Sequence, residues 1–212
     1  MILLIQNLRV GGVLMKILAM ANLYDITYED LDFIIVDKKD EYDVVVFLGN
    51  IEISIIKHIN YLISQNELSK LVMGVEGKYD NSEDLECLGI KNLHMNYETI
   101  NNKKIAGYSS FSKFNLIDTH LTFIDRESKE ILENLDKCDI LISHNSPKGY
   151  EEELTYDGIN NLNDYINKNK PSICIHSYRN SNSICTLNST YIIGVHGIAI
   201  IDTDNFAITS FY

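Results

Sequence analysis

A chain of 212 residues, 45% hydrophobic and 23% charged with only 2 prolines, has the composition of one ordinary globular domain, which excludes a disordered, collagen-like or linker-rich protein. Its net charge of -12, with no visible basic patch, excludes electrostatic capture of nucleic acid or of an anionic membrane surface. Cys87, Cys138, Cys174 and Cys185 show neither a CxxC pair nor zinc-ligand spacing, so they read as reduced core thiols and predict a cytoplasmic setting.

Residues 1–15 are apolar around a single Arg9 but carry Gly11-Gly12 and no 18-residue apolar span, so they read as neither a transmembrane helix nor a signal peptide. They form an extension or an extra strand, or the natural start is Met15; residues 16–212 form a single domain.

Lys16 to Ala21 reads as a buried strand, and Thr27-x-x-Asp30 offers a capping box ahead of Leu31, Ile34 and Ile35 at helical spacing. Val44 to Leu48 is a second buried strand, followed by a helix over Ile51 to Ser64 with Ile55, Ile59, Leu62 and Ile63 on one face; two strand-then-helix units imply a parallel pair. Leu71 to Val75 is a third strand, leaving through Gly77, which permits the backbone angles of a loop crossing a site. Asn101-Asn102 marks a hairpin turn between Tyr97–Ile100 and Ile105–Tyr108, where pairing turns antiparallel. His58 and His94 read as an edge residue and a satisfied strand residue respectively, rather than as ligands.

A helix over Asp125 to Leu135 leads into the stretch Asp139 to Pro147, an apolar run that breaks at His144 and then at a proline. Asp157 is a candidate cap for a helix over Ile159 to Asn167, which leads into the strand carrying His176. The end, Ile184 to Phe211, reads as three or four short strands with turns at Asn188-Ser189 and Asp202 to Asn205. A β-rich tail behind an α/β front predicts two sheets packed face to face with helices outside.

Five apolar runs each end in an abrupt polar cluster, which predicts that Asn22, Tyr24, Asn50, Lys78, Tyr79, His144, His176 and Tyr178 converge on one pocket. In order, these strand ends resemble the calcineurin-like metallophosphoesterases, whose signature runs Asp-x-His, Gly-Asp, Gly-Asn-His-Asp, a histidine after a strand, and Gly-His-x-His. The matching stretches are Asn22-Leu23-Tyr24, Gly49-Asn50, Gly77-Lys78-Tyr79-Asp80, His144, and Ile175-His176-Ser177-Tyr178, and the resemblance spans about residues 16–205. It implies an α/β fold, a four-layer α-β-β-α sandwich of two mixed sheets.

In that family two divalent metals, bridged by the Gly-Asp carboxylate, activate a water that attacks phosphorus. Here Asn22 and Asn50 replace both carboxylates, Lys78 the asparagine ligand, and Tyr24 and Tyr178 two histidines, so that of seven metal-binding positions only His144 and His176 survive. Tyr79 replaces the histidine that assists the leaving group, and its phenol is a poorer acid at neutral pH than imidazolium; Asp80, the usual partner of that histidine, remains.

The expectation is a catalytically inactive pseudo-phosphoesterase with a remnant pocket of Asn22, Tyr24, Asn50, Lys78, Tyr79, Asp80, His144, His176 and Tyr178, no catalytic residue and no resident metal, acting as a binding or scaffold protein for a protein partner. One alternative is a phosphoesterase with a single manganese or zinc ion on His144 and His176. Another is a sensor of a phosphate-containing small molecule or nucleotide. The plainer reading stands beside these: the tyrosines fill a dead cavity and Lys78 reaches solvent.

Overall fold

The computed structural model describes residues 14–77, 80, 85, 89–109, 120–150, 158–177 and 181–211, with the side chains of 120–125 left out. Lys78, Tyr79, Tyr178, Cys87, the candidate cap Asp157 and residues 1–13 lie outside the described residues.

Two six-stranded mixed sheets form the centre. The first runs β12 (Ile208–Ser210), β11 (Gly197–Asp202), β1 (Lys16–Ala21), β2 (Val44–Phe47), β3 (Leu71–Gly74), β4 (Lys91–Asn92). The second runs β5 (Tyr97–Ile100), β6 (Lys103–Tyr108), β7 (Ile140–Ser143), β8 (Ile173–Ser177), β10 (Thr190–Val195), β9 (Ser183–Leu187). β1, β2 and β3 are mutually parallel, as are β6, β7 and β8, so their C-terminal ends lie on shared rims.

The apolar runs are uninterrupted because both faces of these strands are covered. Ile17, Ala19, Val44, Val46, Ile140, Ile142, Ile173 and Ile175 pack between the sheets. The alternate residues Leu18, Met20, Val45 and Phe47 pack under α1 (Tyr28–Asp32) and α2 (Ile53–Ser64). On the far side, Leu141 and Cys174 pack under α3 (His120–Asn134) and α4 (Asn160–Asn169) through Ile131, Leu132, Leu162 and Ile166. This is the four-layer α-β-β-α sandwich. Burial of each such Ile, Leu or Val contributes about 1.5–3 kcal/mol.

The local signals act as expected in most places. Thr27 caps α1, its Oγ1 accepting from Asp30 N at 3.1 Å and donating to Asp30 Oδ2 at 2.6 Å. Asn101 and Asn102, at φ 51° and 62°, form the β5–β6 turn, in which two positive φ angles match the strand twist.

Three elements differ from the sequence reading. α1 continues as a π-helical turn over Phe33–Asp37, α3 begins at His120 rather than near Asp125, and Cys185 is exposed on the edge strand β9 rather than in the core. The last arises because, among the described residues, β9 has a neighbour on one side only, while Cys138 and Cys174 are buried as expected.

Candidate functional site

The rims of the two sheets meet where β1, β2 and β3 face β7 and β8. On the first sheet the β1–β2 ladder runs past the strands, with Leu48 N on Met20 O at 2.8 Å and Leu23 N on Asn50 O at 3.0 Å. Holding that register around the corner puts Asn22, Gly49 and Asn50 at φ 54°, 90° and 58°. Asparagine, with a short side chain, tolerates this left-handed region better than most residues.

The backbones approach closely there. A Cβ on Gly49 would lie 2.3 Å from Gly77 N and 2.6 Å from His144 Nδ1, and a Cβ on Gly77 would lie 2.2 Å from Asn50 N. Only glycine fits at either position.

Asp80 fastens this rim. Its Oδ2 accepts from Gly77 N at 2.6 Å and Asn50 N at 2.7 Å, and its Oδ1 from Ile51 N at 3.1 Å. Burial pushes its pKa above the ordinary carboxylate value, opposed by the three N–H donors.

From the second sheet, His144 Nδ1 lies 2.7 Å from the Leu48 carbonyl oxygen, which can only accept, so Nδ1 carries a proton. Asn50 Nδ2 donates to Asn22 Oδ1 at 3.1 Å and sits 3.5 Å from His144 Nε2, a looser contact; Asn22 Nδ2 donates to Ser177 Oγ at 2.9 Å. A hydrogen-bonded chain, Ser177–Asn22–Asn50–His144–Leu48 carbonyl, thus crosses between the sheets three times.

His176 is buried, with Nδ1–H donating to the Ser177 carbonyl at 2.8 Å. Burial lowers its pKa to about 4; the Ser177 hydrogen bond opposes this and the neighbouring His144 adds to it. It is neutral at pH 7.

The structure therefore joins Asn22, Asn50, Asp80 and His144 through direct contacts or shared backbone, with His176 beside them. Tyr24 is 45% exposed, which does not fit a buried plug. Ser177 is a participant that the sequence reading does not select: strand alternation puts it in register with the gap-facing Ile173 and Ile175, and that alternation is the available signal.

His94 accepts from Ser109 N at 3.1 Å and burial lowers its pKa, in keeping with a satisfied strand residue. His58 is stacked on Tyr28 with ring centroids 4.3 Å apart and lies 2.6 Å from Asp32 Oδ1, so it ties α1 to α2.

These residues do not fit a pair of divalent cations. Such ions need anionic oxygen donors between them. The Asp80 carboxylate is committed to backbone N–H groups, and Asn22 Oδ1 accepts from a neighbouring amide. Among the described residues no group of three or more His, Cys, Asp or Glu side chains is arranged to hold a metal ion.

No family profile and no curated protein matches the sequence. Solved structures do resemble it. TT1561 of Thermus thermophilus is 15% identical with a TM-score of 0.66, over 93% of this chain and 98% of that one. The phosphopantetheinyl hydrolase PptH of Mycobacterium tuberculosis is 10% identical with a TM-score of 0.57, over 88% and 91%. GAP50, the anchor in the inner membrane complex of Plasmodium, is 11% identical with a TM-score of 0.55, over 93% and 87%.

The chain has the calcineurin-like metallophosphoesterase fold. One of these neighbours is a hydrolase and another an anchor, so the fold leaves the activity to the site. No helix among the described residues is long and apolar enough to cross a membrane.

Proposed function

We propose that this protein is a catalytically inactive pseudo-phosphoesterase that serves as a binding or scaffold protein, with a metal-free remnant of the family's pocket. The observation that carries this reading is the hydrogen-bond chain from Ser177 through the two amides Asn22 and Asn50 to His144. Two carboxylates at the asparagine positions would repel each other without a cation between them, whereas two amides satisfy each other. Each such bond contributes about 1 kcal/mol, and those from Asn22 to Ser177 and from His144 to Leu48 join the two sheets. GAP50, an anchor, supports a non-catalytic role by analogy of fold alone.

One observation favours a second reading, a single divalent metal with residual phosphoesterase turnover. Both imidazoles donate Nδ1–H to a backbone carbonyl, the orientation that metal-binding histidines use to direct Nε2 at an ion. A phosphate or nucleotide sensor fits these two residues less well, because both Nδ1–H groups are already engaged by backbone carbonyls and the buried His176 is neutral at pH 7. That reading rests on Lys78, and loss of a nucleotide-induced thermal shift in Lys78→Ala would be its signature.

The test is turnover of phosphomonoesters and phosphodiesters by the purified full chain with and without manganese or zinc. The proposal expects no turnover above that of His144→Ala under any condition. Metal-dependent turnover abolished by His144→Ala would replace it with the second reading.

A further inference from the structure

We infer that the outer face of α1 and α2 is a docking surface for an arginine-rich segment of a protein partner, seated on the rings of Tyr28 and Tyr61 among the carboxylates of α1. The inference rests on the scaffold reading and names the surface and the chemistry of the partner. Ten large hydrophobic side chains are exposed among the described residues. Five of them, Tyr24, Tyr28, Phe33, Ile53 and Tyr61, fall in the stretch that carries α1, its π-helical turn and α2. Exposed apolar groups scattered singly need no explanation, but aromatic rings gathered on one face have the composition of an interface.

The rings are held in place. Tyr28 and Asp32 are four residues apart and so share one face of α1. His58 of α2 stacks on Tyr28 with centroids 4.3 Å apart and planes at 10°, and its Nε2 lies 2.6 Å from Asp32 Oδ1. Tyr61, one turn further along α2, continues the stack at 6.2 Å from His58. Tyr28 and Tyr61 remain 50% and 55% exposed, so the stack offers ring surface to solvent at its two ends while its centre is pinned by Asp32. Rings fixed in advance lose little conformational freedom when something binds them.

Charge selects the occupant. Residues 24–61 hold nine carboxylates and three lysines, a net charge of -6, which is half of the chain's -12 in less than a fifth of its length. Among the described residues, Asp25 and Glu29 form no ion pair. Elsewhere this chain places its own cations over its rings: Lys38 Nζ lies 5.2 Å from the Phe33 centroid, Lys70 Nζ 5.9 Å from Tyr42 and Lys104 Nζ 3.7 Å from Tyr97. No lysine or arginine of the described residues lies over Tyr28 or Tyr61. The cation that suits these rings and carboxylates has to come from outside.

Arginine suits them better than lysine, because its planar guanidinium stacks on a ring and still donates to a carboxylate at its edge. A second copy would bring its own -6 against this face, and nucleic acid its phosphates, so both are disfavoured.

The experiment is titration of the full chain, followed by fluorescence anisotropy, with a labelled synthetic peptide of four Arg-Gly-Ser repeats and with its lysine counterpart. The expected result is tighter binding of the arginine peptide than of the lysine peptide of equal charge. Tyr28→Ala and Tyr61→Ala should each weaken it about two- to fivefold, whereas Tyr28→Phe and Tyr61→Phe keep it. Asp25→Asn combined with Glu29→Gln should weaken it as well. Glu130→Gln combined with Glu133→Gln, which removes the same charge from exposed positions of α3, should have the smaller effect. Equal binding of the two peptides, ring variants that bind like the wild type, or equal losses from the two charge pairs would mean that overall negative charge alone holds the peptide, and would overturn the inference. So would the absence of binding, or displacement by spermidine at equal charge concentration, which would make the face a site for small polycations. Metal-dependent turnover would overturn the scaffold reading, whereas the titration decides the docking surface by itself.

Discussion

The two rims that meet at the candidate site are built by different means. The first sheet's rim is held by backbone: Asn22, Gly49 and Asn50 take left-handed angles, Gly77 passes where no side chain fits, and Asp80 ties three N–H groups together. The second sheet's rim is held by side chains on ordinary strand ends: His144 reaches across to Leu48 and Ser177 reaches Asn22. A rim fixed by backbone sterics keeps its shape when a carboxylate becomes an amide. A rim fixed by imidazoles keeps the geometry of its ring nitrogens only while the residue type is kept. The first rim therefore depends on glycine and the left-handed turns, and the second on the identity of its side chains.

The largest effect should come from the backbone rim. Gly49→Ala or Gly77→Ala puts a Cβ within 2.3 Å of backbone nitrogen, and either should cost about 4 kcal/mol or more, or abolish folding, in urea unfolding. Alanine tolerated at both positions would break the comparison.

The second rim predicts a pH dependence. His176, buried with a pKa of about 4 against 6.5 unfolded, binds fewer protons folded than unfolded between those values. Its contribution is fully present above about pH 6.5 and is lost as pH falls toward 4, by about 3 kcal/mol. The measurement is unfolding free energy at pH 7 and pH 4, with His176→Gln expected to flatten the difference.

Asp80→Asn should cost about 2 kcal/mol, because the amide turns N–H groups toward N–H groups that it must accept from. Smallest, Asn22→Ala and Ser177→Ala should each cost about 1 kcal/mol, with a double-mutant coupling of about 0.5–1 kcal/mol that shows the two rims are joined through this bond.

The fold is largely legible in the sequence because its strands are buried on both faces and read as unbroken apolar runs: β1, β2 and β3 all begin and end within a residue of where their sequences predict. The Asn101-Asn102 turn is equally plain, since its chemistry is local. The π-helical turn at Phe33–Asp37 is not, because its apolar residues fit an α-helix as well.

At the site, the residue positions are legible and the wiring is not. The partner of His144 is the Leu48 carbonyl, and a backbone group leaves no mark in the sequence. Ser177 can be found from alternation along β8, but a serine beside a histidine draws less notice than the histidine. Tyr24 reads as a candidate plug from its place after β1, whereas the turn at Asn22 leaves it half exposed.

The central claim, a site rebuilt to stand without metal, is tested most directly by the metal content of the purified chain before and after soaking in manganese or zinc and desalting. The account predicts occupancy near zero in both cases and no change in thermal stability with either ion. Stoichiometric metal that disappears in both His144→Ala and His176→Ala would contradict it.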